Sequence, residues 1–350
     1  MILQHPLSVE TWMPMDCSLI ILAESYLHRL DPVAIPLSSD WGIRWYGLAY
    51  AFGFIIAWLL VRWMARTGRS IVPAAAVGDL MVYAVVGVLV GGRLGYALFY
   101  QPELFVDFSA SPPWWELLAI HRGGMASHGG ILGVLVAMVI FARKHHLPAL
   151  HTIDLMAIAA PPGLFLGRLA NFVNGELWGK RLADSMQQNS PWWSVKYPEE
   201  ILNGTIDVSA VAPGIGGDTT LHTQIVTSLR EGDPVVTEMI IGQLTAWWPS
   251  QLIQAMTDGP ILFALLVLVW WKPRRPGVVA GWFLAGYGVL RVLTEVIRQP
   301  DEGVALLAGL QRGQLLSVCM IIVGAAVIIV CSRRHVHAIG GLNNTRSINP

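Results

Sequence analysis

The chain has 350 residues, of which 54% are hydrophobic and only 13% charged, with a mean hydropathy of +0.54 and a formal net charge of zero. Soluble domains carry about 25% charged residues, so this composition excludes an ordinary soluble enzyme and marks an integral membrane protein. A neutral balance gives no reason to expect nucleic acid as a partner, and recognition has to come from local charge.

Residues 1–40 hold short apolar patches without a basic segment, a clean apolar run and a small-residue cleavage site, and read as an outer N-terminal extension. Apolar runs long enough to cross a bilayer follow at about Trp41–Trp63, Val77–Tyr100, Gly124–Phe141 and Thr152–Leu169. Residues 171–250 are mostly polar, and three more spans come after them, at about Leu252–Trp271, Val278–Ile297 and Leu315–Cys331. The expected fold is an all-α polytopic membrane protein: spans one to four in 41–170, an outer head segment in 171–250, spans five to seven in 251–332, and a tail in 333–350.

Basic residues cluster on alternate connections: Arg62, Arg66 and Arg69, then Arg143 and Lys144, then Lys272, Arg274 and Arg275, then Arg333 and Arg334. By the positive-inside rule the N-terminus and the head are outside and the C-terminus is cytoplasmic. The adjacent pairs Trp114–Trp115, Trp192–Trp193 and Trp247–Trp248 are expected in an interfacial belt. Gly87, Gly91 and Gly95, Gly129 and Gly133, and Gly163 and Gly167 recur every fourth residue, the spacing that lets helix backbones approach closely. Cys17, Cys319 and Cys331 are too few and too scattered for a disulfide framework.

The most polar stretch beside a span is GRLANFVNGELWG, Gly167–Gly179, which places Arg168, Asn171, Asn174 and Glu176 where the fourth span ends. Polar groups in hydrocarbon cost several kcal/mol each unless paired or hydrated, so four together point to a protein-lined cavity. Tyr46, Arg93, His128, Arg291 and Glu295 fall in the same outer half of their spans. Tyr287, Arg291, Glu295 and Arg298 share one helix face. An Arg291–Glu295 pair that merely neutralises itself is an equal alternative to a ligand site.

Arginines in such a cavity suit an anion, because guanidinium stays charged when buried and forks onto phosphate; at that depth the obvious phosphate is a phospholipid headgroup. His128 is suited to general base work, or else is a helix-start histidine bonded to a carbonyl. No second histidine or carboxylate stands at metal-ligand spacing from it, and no cofactor is called for. With no GxSxG elbow and no cavity cysteine, an attacking group has to arrive on a second substrate. The residues alone therefore indicate a membrane enzyme or binder of an anionic lipid, with a transporter as the rival.

The run GRLANFVNGELWG resembles the signature segment of prolipoprotein diacylglyceryl transferases. The resemblance continues in order through IRWYGLAYAFGF from Ile43, GGRLGYALFY from Gly91, GGMASHGG from Gly123, WPSQLIQ from Trp248, GYGVLRVLTEVIRQPD from Gly286 and GQLLSVCMI from Gly313. It implies a multi-pass enzyme of the bacterial inner membrane that transfers the diacylglyceryl group of phosphatidylglycerol to the lipobox cysteine of a preprolipoprotein. The products are a thioether and glycerol phosphate, and the reaction opens lipoprotein maturation. The resemblance assigns phosphate binding to Arg168 and Arg291, a catalytic or thiol-activating part to His128, and supporting contacts to Tyr46, Asn171, Glu176, Gly179, Tyr287 and Glu295. Arg93, Asn174 and Arg298 join the substrate contacts by their position. Asp154 also matches a family position, with a structural role equally open. Ala126–Ser127 stands where the family commonly has Ser-Phe.

Overall fold

A computed structural model describes residues 25–37, 42–203, 206, 208, 219–299 and 312–343. Three short strands come first: β1 (Tyr26–Leu27), β2 (Val33–Pro36) and β3 (Gly42–Arg44), the last running straight into α1 (Trp45–Arg66). Three further long helices follow, α2 (Val77–Phe99), α3 (Ser127–Lys144) and α4 (Ala149–Val173). The head then contributes β4 (Val195–Lys196), α5 (Thr219–Glu231), α6 (Pro234–Ile240) and β5 (Ala246–Trp247). The chain returns to the bundle through α7 (Ser250–Met256), which passes through a π turn at Thr257–Ile261 into α8 (Leu262–Val269). It ends with α9 (Val278–Glu295) and α10 (Arg312–Arg333).

Counting α7, the π turn and α8 as one, seven of the described helices are long and apolar enough to cross a membrane. Their bounds agree with the spans expected from hydropathy to within a few residues. The informative difference is α4, which continues four residues past Leu169 to Val173, so that Asn171 belongs to the helix itself. Of the seven, α4 has the largest buried share and packs against α1, α3, α7 and α9, which makes it the central helix.

Two devices hold the bundle. Along α2 and α3 the glycines meet backbone to backbone: a Cβ on Gly87 would lie 2.7 Å from the Gly133 carbonyl oxygen, and one on Gly95 would lie 2.8 Å from Gly129 Cα. Only residues without a Cβ permit that approach. At the end away from the head, Met64, Leu80, Met138, Phe141, Leu155, Ile158, Leu262 and Leu266 form a fully buried core. There the buried Asp154 caps the start of α9, accepting from the Gly277 and Ala280 N–H groups at 2.7 Å each. Asp154 is thus a cap between helices, which decides the question the sequence left open.

The N-terminal segment requires a correction. Residues 25–28 do not precede the head as an extension but help to build it, while β2 pairs antiparallel with β3 beside the start of α1. β1 pairs in parallel with β4, which pairs antiparallel with β5, and Leu27 joins the head core of Ile201, Ile225, Val226, Leu229, Ile240 and Leu244. His28 is fully buried there. Strands of two residues are too short for alternation to show in sequence. Residues 1–24, also read as extension, lie outside the described residues, as does Cys17.

The tryptophans also differ from a simple belt. Trp193 lies tilted against Trp248 at 4.6 Å, and Trp178 lies between Tyr197 and Trp247 at 4.9 and 5.3 Å, so these rings hold parts of the head to one another. Trp114 and Trp192 are exposed.

Candidate active site

The signature segment folds as a helix ending. Asn174 caps α4 and Gly175 follows at φ +64°, a conformation glycine adopts without strain. The Gly175 N–H donates to the Phe172 carbonyl at 3.0 Å and the Glu176 N–H to the Asn171 carbonyl at 3.1 Å, the paired bonds of a Schellman ending. This reversal lays Glu176 back over the helix, where Asn171 Nδ2 donates to its Oε1 at 2.9 Å.

Neighbouring elements clamp the turn. His28 Nε2 bonds the Phe172 carbonyl at 2.7 Å, Gln251 Nε2 donates to the Glu176 carbonyl at 2.8 Å, and Ser250 Oγ donates to the Leu177 carbonyl at 3.1 Å. Gly179 lies between the start of α7 and the end of α9, its N–H donating to the Trp248 carbonyl at 3.2 Å and its backbone bridging to Arg298. A Cβ at Gly179 would meet Trp248 Cβ at 2.6 Å and the Ile297 carbonyl at 2.9 Å. Glycine is needed here for close packing.

The two arginines reach this region from different helices and converge on a third. Arg168 on α4 donates through Nε to Asp258 Oδ2 at 3.0 Å, and Tyr287 of α9 lies against it. Arg291 on α9 donates through Nη1 to Gln254 Oε1 at 3.0 Å, and its Nη2 lies 3.4 Å from Glu295 Oε2 one turn on. Asp258 lies within electrostatic range of Arg291 as well, and Tyr46 within range of Arg168 and Glu176. Two guanidinium groups thus face two carboxylates, Asp258 and Glu295, and Glu176 is a third carboxylate of the region. The cluster carries no excess of positive charge, so selection there rests on the direction of its donors.

The arginines differ in what they leave open. Arg168 is held from behind through Nε, so the outer fork of Nη1 and Nη2 is clear of Asp258. Arg291 has each terminal nitrogen already against a neighbour.

Tyr46, Arg168, Asn171, Glu176, Tyr287, Arg291 and Glu295 are therefore brought together. Arg93 is not among them. It is buried and gives four hydrogen bonds to backbone carbonyls, Nε to Leu117 at 2.8 Å, Nη2 to Glu116 at 2.6 Å, and Nη1 to Gly123 and Gly124 at 2.7 and 3.1 Å. Its guanidinium pins the loop before α3 and is not available to a lipid phosphate. His128 stands exposed in the first turn of α3 without a hydrogen-bond partner among the described residues, and neither arginine touches it. Asn174 serves as the helix cap, and its buried Oδ1 has no partner among the described residues.

Gln251, Gln254 and Asp258 escaped the sequence reading, although all three are buried and each holds part of the site. Their signal was present: three polar residues at spacings of three and four inside an apolar span lie on one helix face.

The family model for prolipoprotein diacylglyceryl transferase matches residues 32–330. The chain belongs to that family. The match begins just before β2, leaving out β1, and runs through the first six spanning helices and all but the last three residues of α10. Among similar proteins, the phosphatidylglycerol–prolipoprotein diacylglyceryl transferase of Bdellovibrio bacteriovorus is 38% identical, over 92% of this chain and 98% of its own. That of Rhodospirillum rubrum is 36% identical over 89% and 96%. That of Neisseria gonorrhoeae is 38% identical over 85% and 94%. Within this transferase family the geometry gives the resemblance a physical form: the signature segment is a capped helix end bolted to its neighbours, and the arginines stand beside it.

Proposed function

We propose that this transferase moves the diacylglyceryl group of phosphatidylglycerol onto the lipobox cysteine thiol of a preprolipoprotein at the outer face of the bacterial inner membrane. The observation that carries the reading is the convergence of Arg168 and Arg291, from two spanning helices, on Gln254 and Asp258 at the head end of the bundle. The basic last turns of α1, α3 and α10 lie at the opposite end, which supports a cytoplasmic C-terminus and a periplasmic head.

The thiol sulfur attacks the glyceryl carbon that bears the phosphate. The carbon–sulfur bond forms as the carbon–oxygen bond breaks, and glycerol phosphate leaves with the bonding pair and an added negative charge. A thiol of pKa about 8.5 is a few per cent thiolate at neutral pH, so full deprotonation gains only about 2 kcal/mol. Preorganised donors aimed at developing charge are worth about 2.7–4 kcal/mol each, so the arginines outweigh the base. Arg168, held through Nε with Tyr287 beside it, presents its terminal nitrogens to two phosphate oxygens while Arg291 donates a single bond to the oxygen that leaves. His128, exposed and without a hydrogen-bond partner among the described residues, takes the thiol proton or orients one of the reactants, and Tyr46, Asn171, Glu176, Tyr287 and Glu295 line the site.

The test is direct. Purified protein in detergent is mixed with phosphatidylglycerol and a lipobox peptide, with the peptide followed by mass spectrometry and the water phase by glycerol phosphate release. A cysteine-dependent gain of one diacylglyceryl unit, matched by released glycerol phosphate, is expected. A folded preparation that binds the lipid and yields no adduct refutes the reading.

A further inference from the structure

We infer that Asp258 is a positioning residue for the transfer, acting through Arg168, and that the π turn of Thr257–Ile261 serves to place its carboxylate. The inference rests on the phosphate-binding reading of Arg168 and goes further, to what fixes that guanidinium's direction.

Four observations carry it. Asp258 is fully buried, in a span where an unpaired carboxylate would be expensive. Its bond to Arg168 runs to Nε at 3.0 Å, so it engages the rear of the guanidinium and spends neither terminal nitrogen on the carboxylate, with Tyr287 against the same guanidinium. Its other oxygen is approached by Thr257 Oγ1 at 3.5 Å, and that hydroxyl also contacts the Ile253 and Gln254 carbonyls at 3.2 Å, which limits rotation of the carboxylate.

Finally, the turn brings the backbones together. A Cβ on Gly259 would lie 2.5 Å from Phe165 Cβ, so α4 packs directly on the turn three residues before Arg168, on the same helix face. Pro260 cannot donate the α-helical hydrogen bond, and the wider π turn is the local answer. Glycine for the approach, proline for the break and aspartate for the contact are consecutive: Asp258, Gly259, Pro260.

A long arginine on a central helix has many rotamers, and a bidentate grip on phosphate needs one of them. A carboxylate bonded through Nε selects it before the lipid arrives. It also balances the charge of the empty site, so that substrate does not have to find a naked guanidinium.

The test is a double-mutant cycle on the full-length protein in nanodiscs, with kcat, KM for phosphatidylglycerol and thermal melts measured together. Asp258→Asn keeps the shape and an acceptor but removes the charge; the expected loss is about 10- to 100-fold in kcat, the range for groups that orient a ligand from behind. The melt should be retained. In an Arg168→Lys background the same change should cost no more than about twofold, because residues acting as a unit are not additive.

Losses that multiply in the double variant, or near-native kcat in Asp258→Asn, overturn the inference. Should Asp258→Asn not give a cooperative melt, Asp258→Glu, which keeps the charge, takes its place. Retention of kcat within about tenfold of native then supports the inference, and a loss as deep as that of Arg168→Ala overturns it. If the unaltered protein forms no diacylglyceryl peptide, the phosphate reading fails and this inference with it. If it does form the adduct and the cycle is additive, only the role of Asp258 is lost.

Discussion

Replacing Arg93 by alanine separates a structural arginine from a catalytic one. Its guanidinium satisfies the carbonyls of Glu116, Leu117, Gly123 and Gly124. Leu117 is buried, so its orphaned carbonyl costs about 1–3 kcal/mol, and the other three, where water can enter, lose about 0.5–1 kcal/mol each. The sum, about 2.5–6 kcal/mol, is enough to open a surface loop whose local stability is only a few kcal/mol. Loosening should spread through residues 100–126 to the first turn of α3, which carries His128 and is tied to α2 by the Ala126 N–H donating to the Gly92 carbonyl. Hydrogen exchange in nanodiscs should therefore show lost protection confined to 100–130, with a lower turnover and nearly unchanged affinity for phosphatidylglycerol. Arg93→Lys, with donors radiating from one point, should recover only part of the protection. Unchanged exchange in Arg93→Ala together with lost lipid affinity would refute the assignment and return Arg93 to the substrate site.

Because Asp258 holds Arg168 through Nε and spends neither terminal nitrogen, lysine should be worse there than at Arg291: kcat should fall about 100-fold or more in Arg168→Lys and about 10-fold in Arg291→Lys, and equal losses would remove the distinction. If His128 accepts the thiol proton, the defect of His128→Gln should shrink as pH rises through about 8.5, where the thiol ionises unaided; a pH-independent defect would mean that it only orients. Asp154→Ala leaves two helix N–H groups without their cap and should lower stability by about 2–4 kcal/mol by denaturation, while activity per folded molecule stays within about twofold. Burial, the dominant cause, pulls the His28 imidazole below its ordinary value and the charge of Arg230 adds to it, against the attraction of Glu199 and the bond to the Phe172 carbonyl, so the folded head prefers it neutral. Stability from this group is complete above about 6.5 and is lost as pH falls below that toward the folded pKa, so the head should melt earlier at about pH 5.5 than at 7.5. His28→Gln, which does not titrate, should flatten that difference; an unaltered pH profile would exclude His28 as its source.

The spans were legible because hydrocarbon demands long apolar helices, and that demand is written continuously along the chain. The close approach of α2 and α3 was legible for a similar reason, since a glycine every fourth residue has few other uses. Arg168, Asn171 and Glu176 could be grouped because a helix ending brings near neighbours together. Arg93 was misplaced because its partners are backbone carbonyls, which leave no mark in sequence. Gln254 and Asp258 were passed over for the opposite reason: the polar stripe on their helix was visible, but attention to arginines alone leaves out the groups that aim them. The folding of residues 25–28 into the head depends on pairing with a strand formed far along the chain, and no local pattern announces it.

That pairing bears on how the molecule is assembled. β1 is made before any of the spanning helices, yet its partner β4 exists only after α1, α2, α3 and α4 have been threaded through the bilayer. Until then Leu27 and His28 have no core to enter. The Phe172 carbonyl that His28 bonds sits at the far end of α4, so the contact forms only when an even number of crossings has returned the chain to the side on which it began. Closure of the head thus acts as a parity check on insertion: a nascent chain that skips or inverts one of its first four helices leaves β1 stranded across the membrane from β4, with an unpaired edge open to quality control.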